Sequence, residues 1–215
     1  MYSTMIPLMI DCTGRKVVIF GGGSVGARKV TFFAGEADVT VYSRTFSEAF
    51  EDLPVRKERI ILEGLSDAAI SDLLRDAFLV ITATSDQTLN SRIMKICKEM
   101  KILVNNADGE QGDVLIPSLI QGKGYILAIS TNGNSPAVSR YIREQVQKFL
   151  SDELPYLDPM VQLQKRLRTL LKKTVFSQDA RSQIIRDVLC DEEVQQMLCI
   201  DEEAAWVLTQ RRYIV

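Results

Sequence analysis

The sequence of 215 residues contains no histidine. This absence excludes serine–histidine and cysteine–histidine nucleophilic pairs, and it excludes imidazole ligands for a metal. The few cysteines are scattered and form no C-x-x-C pair: Cys12, Cys97, Cys190 and Cys199. This spacing predicts neither a disulfide framework nor a zinc site, and we expect no metal-binding residues. Any acid or base in this protein must therefore be a carboxylate, a lysine, a tyrosine or a cysteine.

Long apolar runs and a strong charge imbalance are also missing. No apolar run approaches the ~20 residues needed to span a bilayer, and no basic segment precedes the short apolar run at the N-terminus. We therefore expect no membrane association and no secretory signal, and we predict a cytoplasmic protein. The net charge of −2 argues against a general nucleic-acid-binding protein.

Short apolar runs with a high β propensity occur throughout the first half of the chain, at 16–20, 39–42, 60–62, 78–82 and 102–104. The stretches between most of them have helical spacing, and Ser66 and Asp86 stand where helix N-caps belong. Alternating strands and helices predict a parallel sheet covered on both faces. We therefore predict an α/β, doubly wound (Rossmann) domain over residues 1–112.

The pattern changes after residue 112. Two apolar runs separated by QGKG, at 113–120 and 125–131, predict a hairpin, and Pro136 suits the first turn of a following helix. From Leu154 onward only helical patterns remain, after breaks expected at Pro155 and Pro159. We predict a small α+β domain over 113–152 and a helical domain over 153–215.

Charge is distributed unevenly along this second half. Residues 137–173 contain eight Lys and Arg against four Asp and Glu, whereas 174–215 contain four against eight. The basic segment has two interpretations, a solvated set of helix faces or a wall that faces a polyanionic small molecule.

A glycine-rich turn follows the first predicted strand, in VVIFGGGSVGARKV. Gly21, Gly23 and Gly26 form G-x-G-x-x-G at the start of a predicted helix, and Gly22 lies between the first two. In this context the motif indicates dinucleotide binding, with the pyrophosphate at the helix N-terminus.

The acidic residue that usually binds the adenosine ribose is missing from the end of the second strand. Ser43, Arg44 and Thr45 stand there instead. Arg44 could accept the 2′-phosphate of NADP, or it could stack on adenine while Ser43 and Thr45 hold the ribose of NAD. The residues alone leave both interpretations open.

Two further stretches follow predicted strands at their carboxyl ends, where an open α/β sheet places its ligand. In ATSDQTLN, Thr84 and Asp86 are candidates to line a cofactor site, although Asp86 could serve only as an N-cap. In NNADGEQGD, Asp108 is the carboxylate placed to accept a proton, although Asp-Gly is also a common turn.

The chain resembles the siroheme synthase dehydrogenase family in a series of motifs that occur in the same order. These are P-x-x-x-D at 7–11, GGGSVGARK, ATSDQTLN, VNNAD and AISTNGNSPAVSRYIRE. The resemblance covers about residues 5–150. These proteins are precorrin-2 dehydrogenases, and some also act as sirohydrochlorin ferrochelatases. The resemblance implies an NAD-dependent oxidation of precorrin-2 to sirohydrochlorin by a homodimer whose hairpin and following helix form the dimer contact.

The resemblance also implies roles for particular residues. The essential aspartate of the family falls on Asp108 as the general base. The NAD contacts fall on Ser24, Val25, Arg44 and Thr45, which favours NAD over NADP.

Precorrin-2 carries several carboxylates, and arginine suits bidentate carboxylate pairing. Ser135, Arg140 and Arg143 are therefore candidates to bind substrate, with surface ion pairs as the alternative for the arginines. We predict a dehydrogenase, with Fe²⁺ insertion as an optional second activity. The rival hypothesis is an NAD-sensing module without catalysis.

Overall fold

The computed structural model describes residues 5–107 and 112–214. The chain divides into two compact units, Met1–Ile116 and Pro117–Val215. Both predicted domains that follow residue 112 lie almost entirely in the second unit. The domain boundaries at residues 112 and 152 stay predictions.

The first unit contains a parallel five-stranded sheet in the order β3-β2-β1-β4-β5. Its strands are β1 (Lys16–Phe20), β2 (Asp38–Ser43), β3 (Arg56–Arg59), β4 (Leu79–Thr82) and β5 (Leu103–Asn106). Its helices are α1 (Ser24–Phe33), α2 (Asp67–Leu73) and α3 (Gln87–Met100), with a short 3-10 helix at Glu48–Phe50. This topology confirms the predicted doubly wound fold.

The core of this unit lies on both faces of the sheet. Successive side chains of a strand point to opposite faces, and all four apolar residues at the end of β1 are fully buried. Val18 and Phe20 belong to the cluster that includes Ile93 of α3. Val17 and Ile19 belong to the cluster that includes residues of α1. The continuous apolar run of β1 therefore results from helices that cover both faces.

The third strand differs from the prediction. The apolar run 60–62 was expected to form it, but β3 comprises Arg56–Arg59, whose residues are all exposed. It lies at the sheet edge and pairs only with β2. Main-chain hydrogen bonds suffice to form such an edge strand, so its side chains need not be apolar. Leu62 is buried after the strand has ended.

The second unit begins with the predicted hairpin, in which β6 (Ser118–Gln121) pairs antiparallel with β7 (Ile126–Ile129). Five helices follow: α4 (Pro136–Glu153), α5 (Leu157–Thr174), α6 (Gln178–Cys190), α7 (Glu192–Leu198) and α8 (Glu202–Tyr213). Pro136 begins α4 as predicted. The break expected at Pro159 is wrong, because this proline lies in the first turn of α5, where its missing N–H needs no intrahelical partner.

A third hydrophobic core holds the helices of this unit together. Met160, Leu163, Leu167 and Leu171 recur every three or four residues and form the buried stripe of α5. They pack with buried residues of the last three helices, including Trp206 of α8. Among the described helices, none is both long and apolar enough to cross a membrane.

Candidate cofactor site

Three glycines of the glycine-rich turn are required by the packing of the protein itself. Gly21 has φ of +121°, and a Cβ there would lie 2.3 Å from the carbonyl oxygen of Ala83. A Cβ on Gly22 would lie 2.1 Å from the carbonyl oxygen of Thr45, and one on Gly26 would lie 2.1 Å from that of Gly21. These approaches bring α1 and the loops after β2 and β4 close to the end of β1.

No packing contact within the protein requires a glycine at position 23. A Cβ at this position would meet no atom within 4 Å, and the residue is exposed. Gly23 nevertheless lines a cavity beside the turn. Close approach of a ligand is a physical reason for a glycine here, because in dinucleotide-binding turns the second glycine faces the pyrophosphate. The turn therefore fits a dinucleotide.

The start of α1 suits the same ligand. Gly23 is its N-cap, so no side chain caps the helix, and its first turn contains no acidic residue. The first N–H groups of a helix have no intrahelical partners, and the helix dipole favours negative charge there. The N-terminus of α1 is therefore suited to bind a phosphate group.

The cavity has a volume of about 740 Å³ and lies at the carboxyl edge of the sheet. This size is within the range of small-molecule sites. Every residue predicted to bind cofactor lines it: Gly21, Gly22, Gly23, Ser24, Val25, Ser43, Arg44, Thr45, Thr84 and Asp86. Further lining residues that the sequence did not single out are Phe46, Ser47, Ile60, Leu62, Glu63, Ala83, Ser85, Leu89 and Ala107.

The end of β2 fastens the glycine turn. The Gly22 amide donates a 2.9 Å hydrogen bond to Ser43 Oγ, and the Ser47 amide donates one of 2.9 Å to the Gly22 carbonyl. Ser43 therefore already serves the turn as an acceptor, and its hydroxyl proton stays available for a ligand.

The end of β4 is equally well ordered by hydrogen bonds. Thr84 Oγ1 donates to Asn90 Oδ1 at 2.7 Å, and the buried Asn90 returns a bond from Nδ2 to the Thr84 carbonyl at 3.0 Å. Asp86 accepts from the amides of Thr88 and Leu89 at 2.8 and 3.1 Å, so it is the predicted N-cap of α3. Since Asp86 also lines the cavity, its capping role and a cofactor role are compatible.

Asp108 lies outside the described residues. The residue before it, Ala107, lines the cavity, and the Ala107 amide donates to the Thr82 carbonyl at 2.9 Å. The chain that follows the undescribed residues returns to β5, since Val114 N donates to Val104 O at 3.1 Å. Asn105 Nδ2 also donates to the Val114 carbonyl at 2.7 Å. Both chain segments next to residues 108–111 are therefore anchored at the carboxyl edge of the sheet.

The predicted substrate residues lie at the beginning of α4, in the second unit. Ser135 Oγ caps the helix by accepting from the Val138 amide at 3.3 Å. Arg140 Nε donates to Glu144 at 2.9 Å, and Arg143 approaches the same carboxylate at 3.3 Å. The hydrogen bond from Arg140 is the main reason that the pKa of Glu144 lies below its usual value. The surface ion pairs considered as an alternative therefore do form.

Three further cations of the basic segment have a different setting. Lys165, Arg168 and Lys172 of α5 line a second cavity of about 450 Å³, together with apolar residues that include Met160 and Leu189. None of these three cations forms an ion pair with a carboxylate within the described parts of the chain. These three side chains form the part of α5 that fits the interpretation of a basic wall.

Comparison with known proteins agrees with this geometry. Residues 8–118 match a family model described as NAD(P)-binding, and residues 127–148 match the central region of sirohaem biosynthesis proteins. The chain is 44% identical over 196 residues to the precorrin-2 dehydrogenase of Methanosarcina barkeri, covering 89% of this chain and 86% of that protein.

Two further relatives are similar over most of this chain. It is 31% identical over 179 residues to the siroheme synthase of Sodalis glossinidius, covering 82% of this chain but 36% of that longer enzyme. A solved structure of SirC, a precorrin-2 dehydrogenase, has the same fold, with a TM-score of 0.70 at 24% identity, covering 96% of this chain and 100% of that one. On the similarity to the Methanosarcina enzyme, the chain belongs to the precorrin-2 dehydrogenase family.

Proposed function

We propose that this protein is an NAD-dependent precorrin-2 dehydrogenase. The reaction removes two hydrogens from precorrin-2, a hydride that passes to NAD and a proton that passes to a base or to solvent, and it yields sirohydrochlorin and NADH. The observation that carries the proposal is the cavity at the glycine turn, in a chain 44% identical to a precorrin-2 dehydrogenase.

The cofactor would be held by main-chain and side-chain groups along the carboxyl edge of the sheet. Gly23, Ser24 and Val25 would hold the pyrophosphate at the start of α1, where the helix N–H groups are available. Ser43, Arg44 and Thr45 would hold the adenosine end, because they lie at the carboxyl end of β2 and directly after it. When bound, NAD supplies the hydride acceptor.

Asp108 is the base that we assign to this reaction. The chain has no histidine, so a carboxylate is the expected proton acceptor. Asp108 follows Ala107 in the sequence, and Ala107 lines the cofactor cavity. This covalent link supports a position near the cofactor.

Ser135, Arg140 and Arg143 are our candidates to bind the carboxylates of precorrin-2. Arg140 and Glu144 are both solvent-accessible, and such exposed ion pairs contribute little to stability. Exchange of Glu144 for a substrate carboxylate would therefore cost little. Guanidinium groups also offer the bidentate geometry that carboxylates accept.

Insertion of Fe²⁺ into sirohydrochlorin stays a second, optional activity within this proposal. The NAD-sensing hypothesis is less favoured, because it needs only the glycine turn and leaves unexplained the similarity to enzymes over most of the chain.

The test is anaerobic incubation of the protein with enzymatically generated precorrin-2 and NAD, without added metal. We expect sirohydrochlorin and NADH to appear in equal amounts, and their absorption spectra measure both products. NAD binding without any tetrapyrrole product would instead support the sensing module. Addition of Fe²⁺ after the first reaction is complete then tests whether the same protein forms siroheme.

A further inference from the structure

Two opposite charges lie together in the cofactor cavity. The Arg44 guanidinium is 3.6 Å from the Glu63 carboxylate, and both residues line the cavity. Both side chains are substantially exposed, at 69% and 47%. Each is therefore accessible to a ligand while it faces the other.

The sheet topology explains why Glu63 lies there. Arg44 directly follows β2, and Glu63 follows β3, which is the parallel neighbour of β2. The Ile60 amide donates to the Ser43 carbonyl at 3.0 Å, so the segments that follow β2 and β3 leave the sheet side by side. Leu62 is buried and lines the cavity, so the next residue, Glu63, also lies at the cavity wall.

This position is the one that dinucleotide-binding folds use for the adenosine ribose. An acidic residue at the end of β2 commonly accepts hydrogen bonds from the ribose hydroxyls. In this chain the end of β2 supplies Ser43, Arg44 and Thr45, none of which is acidic. Glu63 brings a carboxylate to the same edge from the neighbouring strand.

We propose that Glu63 is a specificity-determining residue that selects NAD against NADP. Its carboxylate accepts hydrogen bonds from the adenosine ribose of NAD, and it repels the 2′-phosphate of NADP. This inference rests on the proposed function, because it requires that the cavity binds a nicotinamide dinucleotide.

The contribution of Arg44 to this selection depends on Glu63. An arginine near the ribose can pair with a 2′-phosphate. Here Glu63 faces that guanidinium, so a phosphate would have to displace a carboxylate and then lie beside it. Juxtaposed like charges in a binding site are strongly unfavourable. The exposed ion pair itself contributes little, so it is the repulsion between the Glu63 carboxylate and the phosphate that disfavours a 2′-phosphate at Arg44.

The experiment is a calorimetric titration of the native protein and of Glu63→Gln with NAD and, separately, with NADP. We expect the native protein to prefer NAD, and we expect the preference for NAD over NADP to fall by at least about 10-fold in Glu63→Gln, which corresponds to about 1.4 kcal/mol. The matched control is Glu51→Gln, which removes an exposed glutamate that does not line the cavity. Its preference should equal that of the native protein.

A double variant tests the part of Arg44. The NADP affinity gained in Glu63→Gln should be lost in Arg44→Ala/Glu63→Gln, because the released guanidinium would be missing. An unchanged preference in Glu63→Gln would overturn the inference while leaving the dehydrogenase proposal intact. A native preference for NADP would overturn the inference and also the choice of NAD as the cofactor, but not the dehydrogenase reaction. A native protein that binds neither cofactor would overturn the proposed function as well.

Discussion

At the scale of single residues, the glycines of the turn divide into two kinds. Gly21, Gly22 and Gly26 are needed because a Cβ on each would lie within 2.3 Å of a carbonyl oxygen. A Cβ on Gly23 would meet no protein atom within 4 Å, so no packing contact requires a glycine there, whereas a bound pyrophosphate would. This difference separates folding from binding within one short motif.

The two kinds of glycine predict two kinds of variant. Gly23→Ala should lower NAD affinity by about 10-fold or more through contact with the pyrophosphate, while the first unit loses no more than about 1 kcal/mol, the usual cost of alanine at a helix N-cap. Gly22→Ala should instead destabilise the first unit by about 1–3 kcal/mol, the usual cost of overpacking. Calorimetric titration and thermal unfolding measure the two effects.

Gly35→Ala is the control for these variants, because Gly35 is exposed and a Cβ there also meets nothing within 4 Å. It should change neither quantity. Native NAD affinity in Gly23→Ala would contradict the assignment of Gly23 to the pyrophosphate.

Much of the cavity was predictable from the sequence, and Glu63 shows why the rest was not. Gly21, Ser43 and Thr84 were found because each follows an apolar strand, and the carboxyl ends of parallel strands meet at one edge. Glu63 follows β3, whose exposed Arg56–Arg59 has no apolar signal. The predicted strand 60–62 ends directly before Glu63, so the same rule applied to it. Glu63 was missed because an acidic residue was sought only at the end of the second strand, and the pairing of β3 with β2 was not predicted.

At the scale of elements, helix ends were predictable wherever a local side chain sets them. Ser66 and Asp86 cap α2 and α3 as expected. Pro159 was misinterpreted because its effect depends on where the helix begins, and α5 begins at Leu157. Tertiary packing decides that start, which a local pattern does not reveal.

One helix cap in the second unit joins α7 to α8. Asp191 caps α7 by accepting from the amides of Glu193 and Val194 at 3.0 and 3.2 Å. From the end of α8, Arg212 and the Tyr213 hydroxyl each donate to the same carboxylate at 2.9 Å. Burial acts to raise the pKa of Asp191, but the hydrogen bonds from Arg212 and Tyr213 outweigh it, so the pKa lies below its usual value.

This lowered pKa predicts how stability depends on pH. The ionised form of Asp191 stabilises the folded state above the unfolded pKa of about 3.9, and this contribution is lost as pH falls through the lower, folded pKa. We therefore expect Asp191→Asn to reduce the free energy of unfolding at pH 7 by about 2 kcal/mol, typical of hydrogen bonds to a charged group. The difference from the native protein should shrink below about pH 4.

Urea unfolding at several pH values measures this difference. Asp152→Asn is the control, because Asp152 is exposed in the last turn of α4. It should be close to neutral at every pH. A deficit of Asp191→Asn that stays constant down to pH 3 would show that the carboxylate charge is not responsible.

At the scale of the whole molecule, we propose that the hairpin and α4 form a homodimer contact. Large apolar side chains are exposed together on β7 and α4: Ile126, Leu127, Val138, Tyr141, Ile142 and Phe149. Exposed apolar residues grouped in this way are typical of protein interaction surfaces. The predicted domain 113–152 contains all of them.

Light scattering after gel filtration tests this proposal. We expect a mass of about 48 kDa, twice the 24.2 kDa of the chain, and a monomer for Val138→Glu/Tyr141→Glu, because charges would be buried in the contact. Phe176→Glu, a change at an exposed residue outside this set, should stay dimeric. A native protein that is monomeric at all concentrations would refute the proposed contact.

An anaerobic rate measurement tests most directly whether NAD bound in the cavity oxidises precorrin-2 while Asp108 accepts the proton. The native protein, Asp108→Asn and the control Asp113→Asn would each be mixed with precorrin-2 and saturating NAD, with sirohydrochlorin formation followed by absorbance. We predict that Asp108→Asn binds NAD normally and loses about 10²–10⁴-fold in rate, the usual contribution of a general base, while Asp113→Asn remains close to native. A native rate in Asp108→Asn would contradict the assigned base, and NAD binding without product in the native protein would contradict the dehydrogenase itself.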